Sequence, residues 1–168
     1  MTLSMYQASS PFCVRQLNSF SAVLAKGAAF ATEQGIDPAT LLEARLAPDM
    51  FPLTRQVQIA SDLAKGGIAR LAGRDIPSWP DEETSFDQLR DRLARTIAFI
   101  EAVPAAEIDG SEEREIVLKL PSDELRFNGR DYLFNFVLTN LFFHYTTAYD
   151  ILRHKGVPLG KRDFLGII

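Results

Sequence analysis

The sequence predicts a mainly all-α protein, an antiparallel four-helix bundle with a small β-hairpin inserted before the last helix. Three observations predict it: four long segments repeat apolar residues every three or four positions, proline or glycine closes each of them, and one stretch alone, "REIVLKLPSDELRFNG", alternates at period two.

Helix one is expected to open at Ser10, a capping residue followed by Pro11, and to run to Gly35. Leu17, Phe20, Leu24, Ala28 and Ala31 form its apolar stripe. A short helix from Pro38 to Leu46 follows. The second long helix is expected to have Asp49 as cap, Pro52 in its first turn and its end near Gly73, with a stripe of Leu53, Ile59, Ala60, Leu63, Ala64, Gly67 and Leu71. Its Gly66-Gly67 pair lowers helix propensity and so predicts a close approach by a neighbour. "DIPSWP" reads as a loop pinned by Trp79. Helix three is predicted to begin at a Thr84–Asp87 box, to carry Phe86, Leu89, Leu93, Ile97, Ile100 and Val103 inward, and to stop at Pro104. The hairpin pairs Arg114 to Leu120 with Glu124 to Asn128 across a turn at Pro121-Ser122-Asp123. Helix four runs from Asp131 to Lys155, ahead of Gly156 and Pro158.

Composition narrows the function classes. With 168 residues and 46% apolar content, one domain spanning 1–168 is expected. The net charge of −4 and the lack of a basic run argue against a nucleic-acid partner. No apolar run reaches the roughly 20 residues of a spanning helix, so no membrane partner is expected. One cysteine, Cys13, leaves no internal disulfide, and no leader pattern opens the chain, so the expected location is cytoplasmic. There is no H-E-x-x-H, E-x-x-H, G-x-S-x-G, glycine-rich phosphate loop or C-x-x-C, which leaves standard hydrolase, kinase and redox chemistries without a motif.

Both histidines lie in "TNLFFHYTTAYDILRH" on helix four. On a helical wheel Asn135, Thr139, Thr146, Asp150 and Arg153 form the one polar stripe, the solvent side. Asn140 and His144 fall nearly opposite, one turn apart, in line with Leu133, Val137, Ala148 and Ile151. Gln56 falls inside the apolar arc of helix two, whereas Gln58 falls on its polar side. Gln56, Asn140 and His144 are thus expected to form a polar island whose groups need partners: each other, water or a ligand. A hydrogen-bonded core histidine is the plain reading of His144. His154 reads as a residue at the helix C-terminus, Cys13 as a packed thiol in the first turn of helix one, and Lys161-Arg162 as a solvated pair or a clamp for an acidic ligand. Leu138, Phe142, Tyr145 and Tyr149 form a further apolar face that suits a partner.

The runs "LAPDMFPLTRQVQIASDLAKGGIARLAG" and "NLFFHYTTAYDILRHKGVPLGKRDFLG" resemble an uncharacterised bacterial branch of the DinB-like superfamily, described only as a domain of unknown function. The resemblance covers nearly the whole chain. It implies an up-down-down-up bundle, commonly a homodimer, in a superfamily that includes metalloenzymes and thiol-dependent transferases or isomerases such as mycothiol-dependent maleylpyruvate isomerase. Those relatives hold a divalent metal with one histidine of the second helix and an H-x-x-x-H pair on the last. Here the pair position reads Asn140-Leu141-Phe142-Phe143-His144, and Arg55-Gln56-Val57-Gln58 contains no histidine. With two of three ligands changed, the site is degenerate, and at most a weak Zn or Ni site on His144 is implied. The first expectation is therefore a small-molecule pocket at Gln56, Asn140 and His144, with His144 as polar anchor or general base and hence the catalytic candidate. The alternatives are a metal- or thiol-dependent transferase or isomerase using His144, and a non-catalytic structural or interaction protein.

Overall fold

The computed structural model describes residues 3–119 and 123–167. Its first helix, α1 (Met5–Gln34), begins one and a half turns before the expected Ser10. Ser4 Oγ accepts from Gln7 N–H at 3.3 Å while Gln7 Oε1 accepts from Ser4 N–H at 3.2 Å, a reciprocal capping box. Asp109 Oδ1 takes a third orphan donor, Tyr6 N–H, at 2.8 Å. These bonds hold a first turn that carries the chain through Pro11, which sits inside the helix rather than at its start. Cys13 is consequently well inside α1. It is fully buried, and burial pushes its thiol up to about 12, so it is a packing group. Gly35 ends the helix at φ 62°, the left-handed conformation that glycine adopts without strain.

After Asp37 caps it, α2 (Pro38–Leu42) stops four residues short of the expected Leu46. Next, α3 (Leu53–Ala72) starts after Pro52; Asp49 is not its cap, and no side chain caps it. Gly73, at φ 70°, closes α3 as expected. Ser85, not Thr84, caps α4 (Phe86–Glu101), its side chain accepting from Gln88 N–H at 3.2 Å. Gln88 Oε1 accepts from the N–H of Thr84, the residue before the cap, at 2.7 Å, so Ser85 caps the helix without a reciprocal box. Pro104 precedes a single turn, α5 (Ala105–Ile108).

Strands β1 (Glu115–Lys119) and β2 (Glu124–Asn128) pair antiparallel, Ile116 opposite Phe127 and Leu118 opposite Leu125. The turn expected at Pro121-Ser122 lies outside the described residues. Two strands are marginal alone. This pair leans on the last helix, where Phe127 meets Tyr132 and Phe136. That helix is not uniform: a turn, α6 (Gly129–Asp131), passes into a π-helical segment (Tyr132–Val137) and then α7 (Leu138–His154). A terminal helix, α8 (Lys161–Leu165), follows.

Residue pairs fix the directions of the four long helices. Tyr6 reaches Asp109 while Gly27 abuts Phe86, so α1 and α4 are antiparallel. Ser61 meets Thr96 and Arg74 meets Glu107, so α3 and α4 are parallel. Gln56 meets His144 and Gly67 meets Val137, so α3 and α7 are antiparallel. Phe12 meets Phe142 and Phe20 meets Tyr145, so α1 and α7 are parallel. The bundle is up-down-down-up. A Cβ at Gly67 would lie 2.6 Å from Val137 Cγ1, which is the close approach that the glycine pair predicted, made by a side chain of the π segment. The α7 face expected to be open is partly filled from within: Tyr145 is fully buried between Phe20 and Phe164, Phe142 meets Phe12, and Tyr149 meets Phe164. The rings that α7 and the π segment leave exposed are Phe134 and Phe143.

On its other flank α3 is covered by the segment from Pro77 to Glu83. This strap is why Gln58, expected on a solvent face, is buried, donating to Glu83 at 2.9 Å, whereas Ile59 and Leu63 of the expected stripe are only half-buried. The strap is held by the guanidinium of Arg92, which has no solvent exposure. Arg92 donates to Glu83 Oε1 at 2.9 Å, Asp62 Oδ1 at 3.0 Å and the Pro80 carbonyl at 3.1 Å, and its Nη2 forms an ion pair with Asp81 Oδ1 at 2.9 Å. Its Nε–H donates to Ser61 Oγ, Ser61 to Thr96 Oγ1, and Thr96 back to the Arg92 carbonyl. Trp79 is pinned as expected, by Lys65 Nζ at 4.1 Å and the Arg95 guanidinium at 5.2 Å from its ring centroid. Burial raises the pKa of Glu83, but hydrogen bonds from Gln58 and Arg92 outweigh it and hold the carboxyl below its usual range.

Arg92→Leu would strip three clustered carboxylates of the one buried cation they share, leaving Asp62 to Lys65, Asp81 to Arg55 and Glu83 to Arg95. It is expected to cost about 3–5 kcal/mol, or roughly 6–20 °C in melting temperature, measured by thermal unfolding. A loss under about 1 kcal/mol, the ceiling for an exposed pair, would show that the network is not cohesive.

Candidate functional site

Gln56 is the fourth residue of α3 and His144 lies near the middle of α7, so the antiparallel packing of the two helices brings them together. His144 Nδ1 and Gln56 Oε1 are 2.7 Å apart. The direction of this bond follows from the other end of the amide: Gln56 Nε2 donates to the Phe51 carbonyl at 3.0 Å, and a carbonyl only accepts. Oε1 therefore faces the imidazole, and Nδ1 must carry the hydrogen. The neutral ring is left with Nε2 as a bare acceptor, which makes no hydrogen bond among the described residues.

Burial and then the positive charge of Arg55 hold the His144 pKa below the usual imidazole value of 6.5. The ring is neutral at pH 7. Arg55 is itself held by Asp81 of the strap and donates from the same nitrogen, Nη1, to Gln58 Oε1 at 3.3 Å. The Phe143 ring meets the imidazole edge-on at 5.2 Å.

Asn140 does not join the pair. Its Nδ2 donates to the Phe136 carbonyl of its own helix at 2.7 Å, and Thr139 Oγ1 donates to the carbonyls of Asn135 and Phe136 at 2.8 and 3.1 Å. Both side chains serve carbonyls where the π segment gives way to α7, a junction whose bonding pattern changes from five residues to four. Asn140 and His144 are half-buried rather than turned fully inward, while Asn135, Thr139, Thr146, Asp150 and Arg153 are exposed as expected. The island is thus a Gln56–His144 pair plus a separate Asn140. Two clefts, of about 580 and 510 Å³, lie elsewhere, beside Pro80 and Asp91 and beside Tyr6 and Ile100.

The remaining candidates stand apart from this pair. His154 is exposed in the last turn of α7. Lys161 and Arg162 are exposed on α8, where the neighbouring Asp163 pairs with Lys26.

Residues 5–165 match a family model described as Domain of unknown function (DUF1993). The chain belongs to this family. It is also similar to a crystal structure of a DinB family member protein from Shewanella denitrificans, at 38% identity over 97% of this chain and 92% of that one, with a TM-score of 0.87. The DUF1993 chain accordingly has a DinB-like fold. No curated protein matches it.

The donor set of this DUF1993 chain does not fit the divalent metal that the DinB-like resemblance implies. One imidazole nitrogen is free, the Gln56 oxygen already accepts from His144, the Asn140 amide is turned to its own backbone, and Arg55 adds positive charge. No group of three His, Cys, Asp or Glu is placed to hold a metal among the described residues.

Sequence reasoning missed Arg55, Asp81, Glu83 and Arg92. A signal for Arg92 was present: on the helix-three wheel Thr96 falls within the apolar arc and Arg92 at its edge, a turn apart, after the acidic run Asp81-Glu82-Glu83.

Because folding lowers the His144 pKa, the fold prefers the neutral ring. Its contribution to stability is complete above pH 6.5 and is lost as pH falls through the lower folded value. An NMR titration is expected to place His144 below 6.5, and Arg55→Gln to move it upward. A midpoint at or above 6.5 in the wild type would contradict the geometry.

Proposed function

We propose that this DinB-like protein binds a small molecule at the α3–α7 seam, with His144 Nε2 as its anchor and without a high-affinity divalent metal. One observation carries the reading: the Gln56 amide fixes the Nδ1–H tautomer, so a half-buried neutral imidazole presents a basic nitrogen that no group among the described residues uses. Such a nitrogen accepts a hydrogen bond from a ligand, and its lowered pKa keeps it unprotonated as a general base would need to be. The second reading is structural. It is favoured by the Gln56 and Asn140 amides, each of which already has a protein partner, so that they serve helix register without a ligand. The metal- or thiol-dependent transferase or isomerase reading has one histidine in its favour.

Titration calorimetry with zinc, nickel and manganese separates the readings. Wild type and His144→Ala are expected to bind each metal weakly and within tenfold of each other. Gln56→His/Asn140→His, which restores three imidazoles, is expected to gain at least about 100-fold, since three protein ligands suffice for a site. Stoichiometric tight binding by the wild type that is lost in His144→Ala would overturn the metal-free reading and favour the enzyme.

A further inference from the structure

We propose that the corner where the first turn of α3 meets the middle of α7 takes one class of ligand, a small aromatic carboxylic acid that also carries a hydroxyl. The inference rests on the reading of His144 as a ligand anchor and adds the chemistry that the surrounding residues select. Three features select it, each from a different side chain.

The first is apolar and aromatic. Phe51 is 56% exposed and Phe143 59%, the two most exposed phenylalanines in the described chain. The Phe143 ring meets the imidazole edge-on, while the Phe51 carbonyl accepts from the Gln56 amide and the Phe51 ring lies by the Arg55 guanidinium. Two phenyl rings left in water where the start of α3 meets α7 favour a planar ring that covers them.

The second feature is a cation with an open edge. Arg55 uses Nη1 for Asp81 and Gln58, while its Nε and Nη2 hydrogens make no bond among the described residues. Those nitrogens form the fork that grips a carboxylate with two parallel bonds. The guanidinium carbon lies 6.0 Å from the Phe51 ring centroid, and Arg55 adjoins Gln56, the partner of His144, so fork and ring belong to the end of α3 that meets the imidazole. Asp81 holds the fork in place, and Arg92 holds Asp81.

The third is the His144 Nε2 acceptor. A carboxylate at neutral pH has no hydrogen to give it, whereas a hydroxyl elsewhere on the ligand does. Anion, ring and donor together define a hydroxylated aromatic acid.

The test titrates four probes into the full chain at pH 7.5, followed by NMR at His144, Arg55 and Phe143: 4-hydroxybenzoate, benzoate, phenol and acetate. The expected order places 4-hydroxybenzoate first, at least tenfold tighter than acetate and severalfold tighter than benzoate or phenol. Arg55→Gln is expected to bring 4-hydroxybenzoate down to the level of phenol, and Phe143→Ala to weaken every aromatic probe. Both side chains are exposed enough for the variants to fold, which thermal unfolding checks. Acetate binding as well as 4-hydroxybenzoate, or an acid whose binding ignores Arg55→Gln, overturns the assignment. If phenol moves His144 as strongly as the acid does, the acid class fails and the anchor stands. If no probe, phenol included, moves His144, both fail.

Discussion

The buried guanidinium of Arg92 is the interaction on which the rest of the structure depends. A charge without solvent is costly unless it is fully partnered, and Arg92 reaches three carboxylates, a backbone carbonyl and a hydroxyl. Those partners come from α3 and from the strap while Arg92 itself belongs to α4, so one side chain fixes the relative position of three parts of the chain. The strap, without regular secondary structure, is thereby turned into a rigid cover over α3. Its Asp81 serves two cations: it neutralises part of Arg92 and it orients Arg55. The electrostatic surroundings of His144 therefore reach back to the core through two ion pairs.

The opposite flank of α3 sets the seam itself. Gly67 lets Val137 approach to a distance that a methyl group would block, and this draws the π segment and α7 against α3. The wider turns of the π segment advance the following residues around the helix. Thr139 and Asn140 quiet the carbonyls at the junction, and one turn later His144 faces Gln56. Asn140 thus has a structural task at a position where the resemblance implies a metal ligand.

Elements governed by local chemistry were legible in the sequence. Gly35 and Gly73 stop their helices where glycine past an apolar stripe says they should, and the period of Phe86, Leu89, Leu93 and Ile100 defines a buried face that the structure keeps. The misplaced boundaries come from competing signals. Ser10-Pro11 looks like a helix start, but the Ser4–Gln7 box and Asp109 satisfy an earlier one, and Asp109 is more than 100 residues away, outside any local pattern. Gln58 read as solvent-facing because a wheel knows nothing of a strap that folds over it. At the site, periodicity brought Gln56 and His144 to the same seam, while the partners of Asn140 depend on a π turn that propensity does not signal. The ion network was the least legible, because its members lie on three elements and only their charges, not their spacing, relate them.

Gln56 fixes His144 as a neutral Nδ1–H imidazole whose Nε2 is open to a donor. A long-range proton–nitrogen NMR spectrum of the ring at pH 7.5 tests it most directly. The expected spectrum shows a protonated, pyrrole-type Nδ1 and an unprotonated, pyridine-type Nε2, with the pattern lost in Gln56→Ala. A ring with hydrogen on Nε2, or the same tautomer populations with and without Gln56, would contradict it.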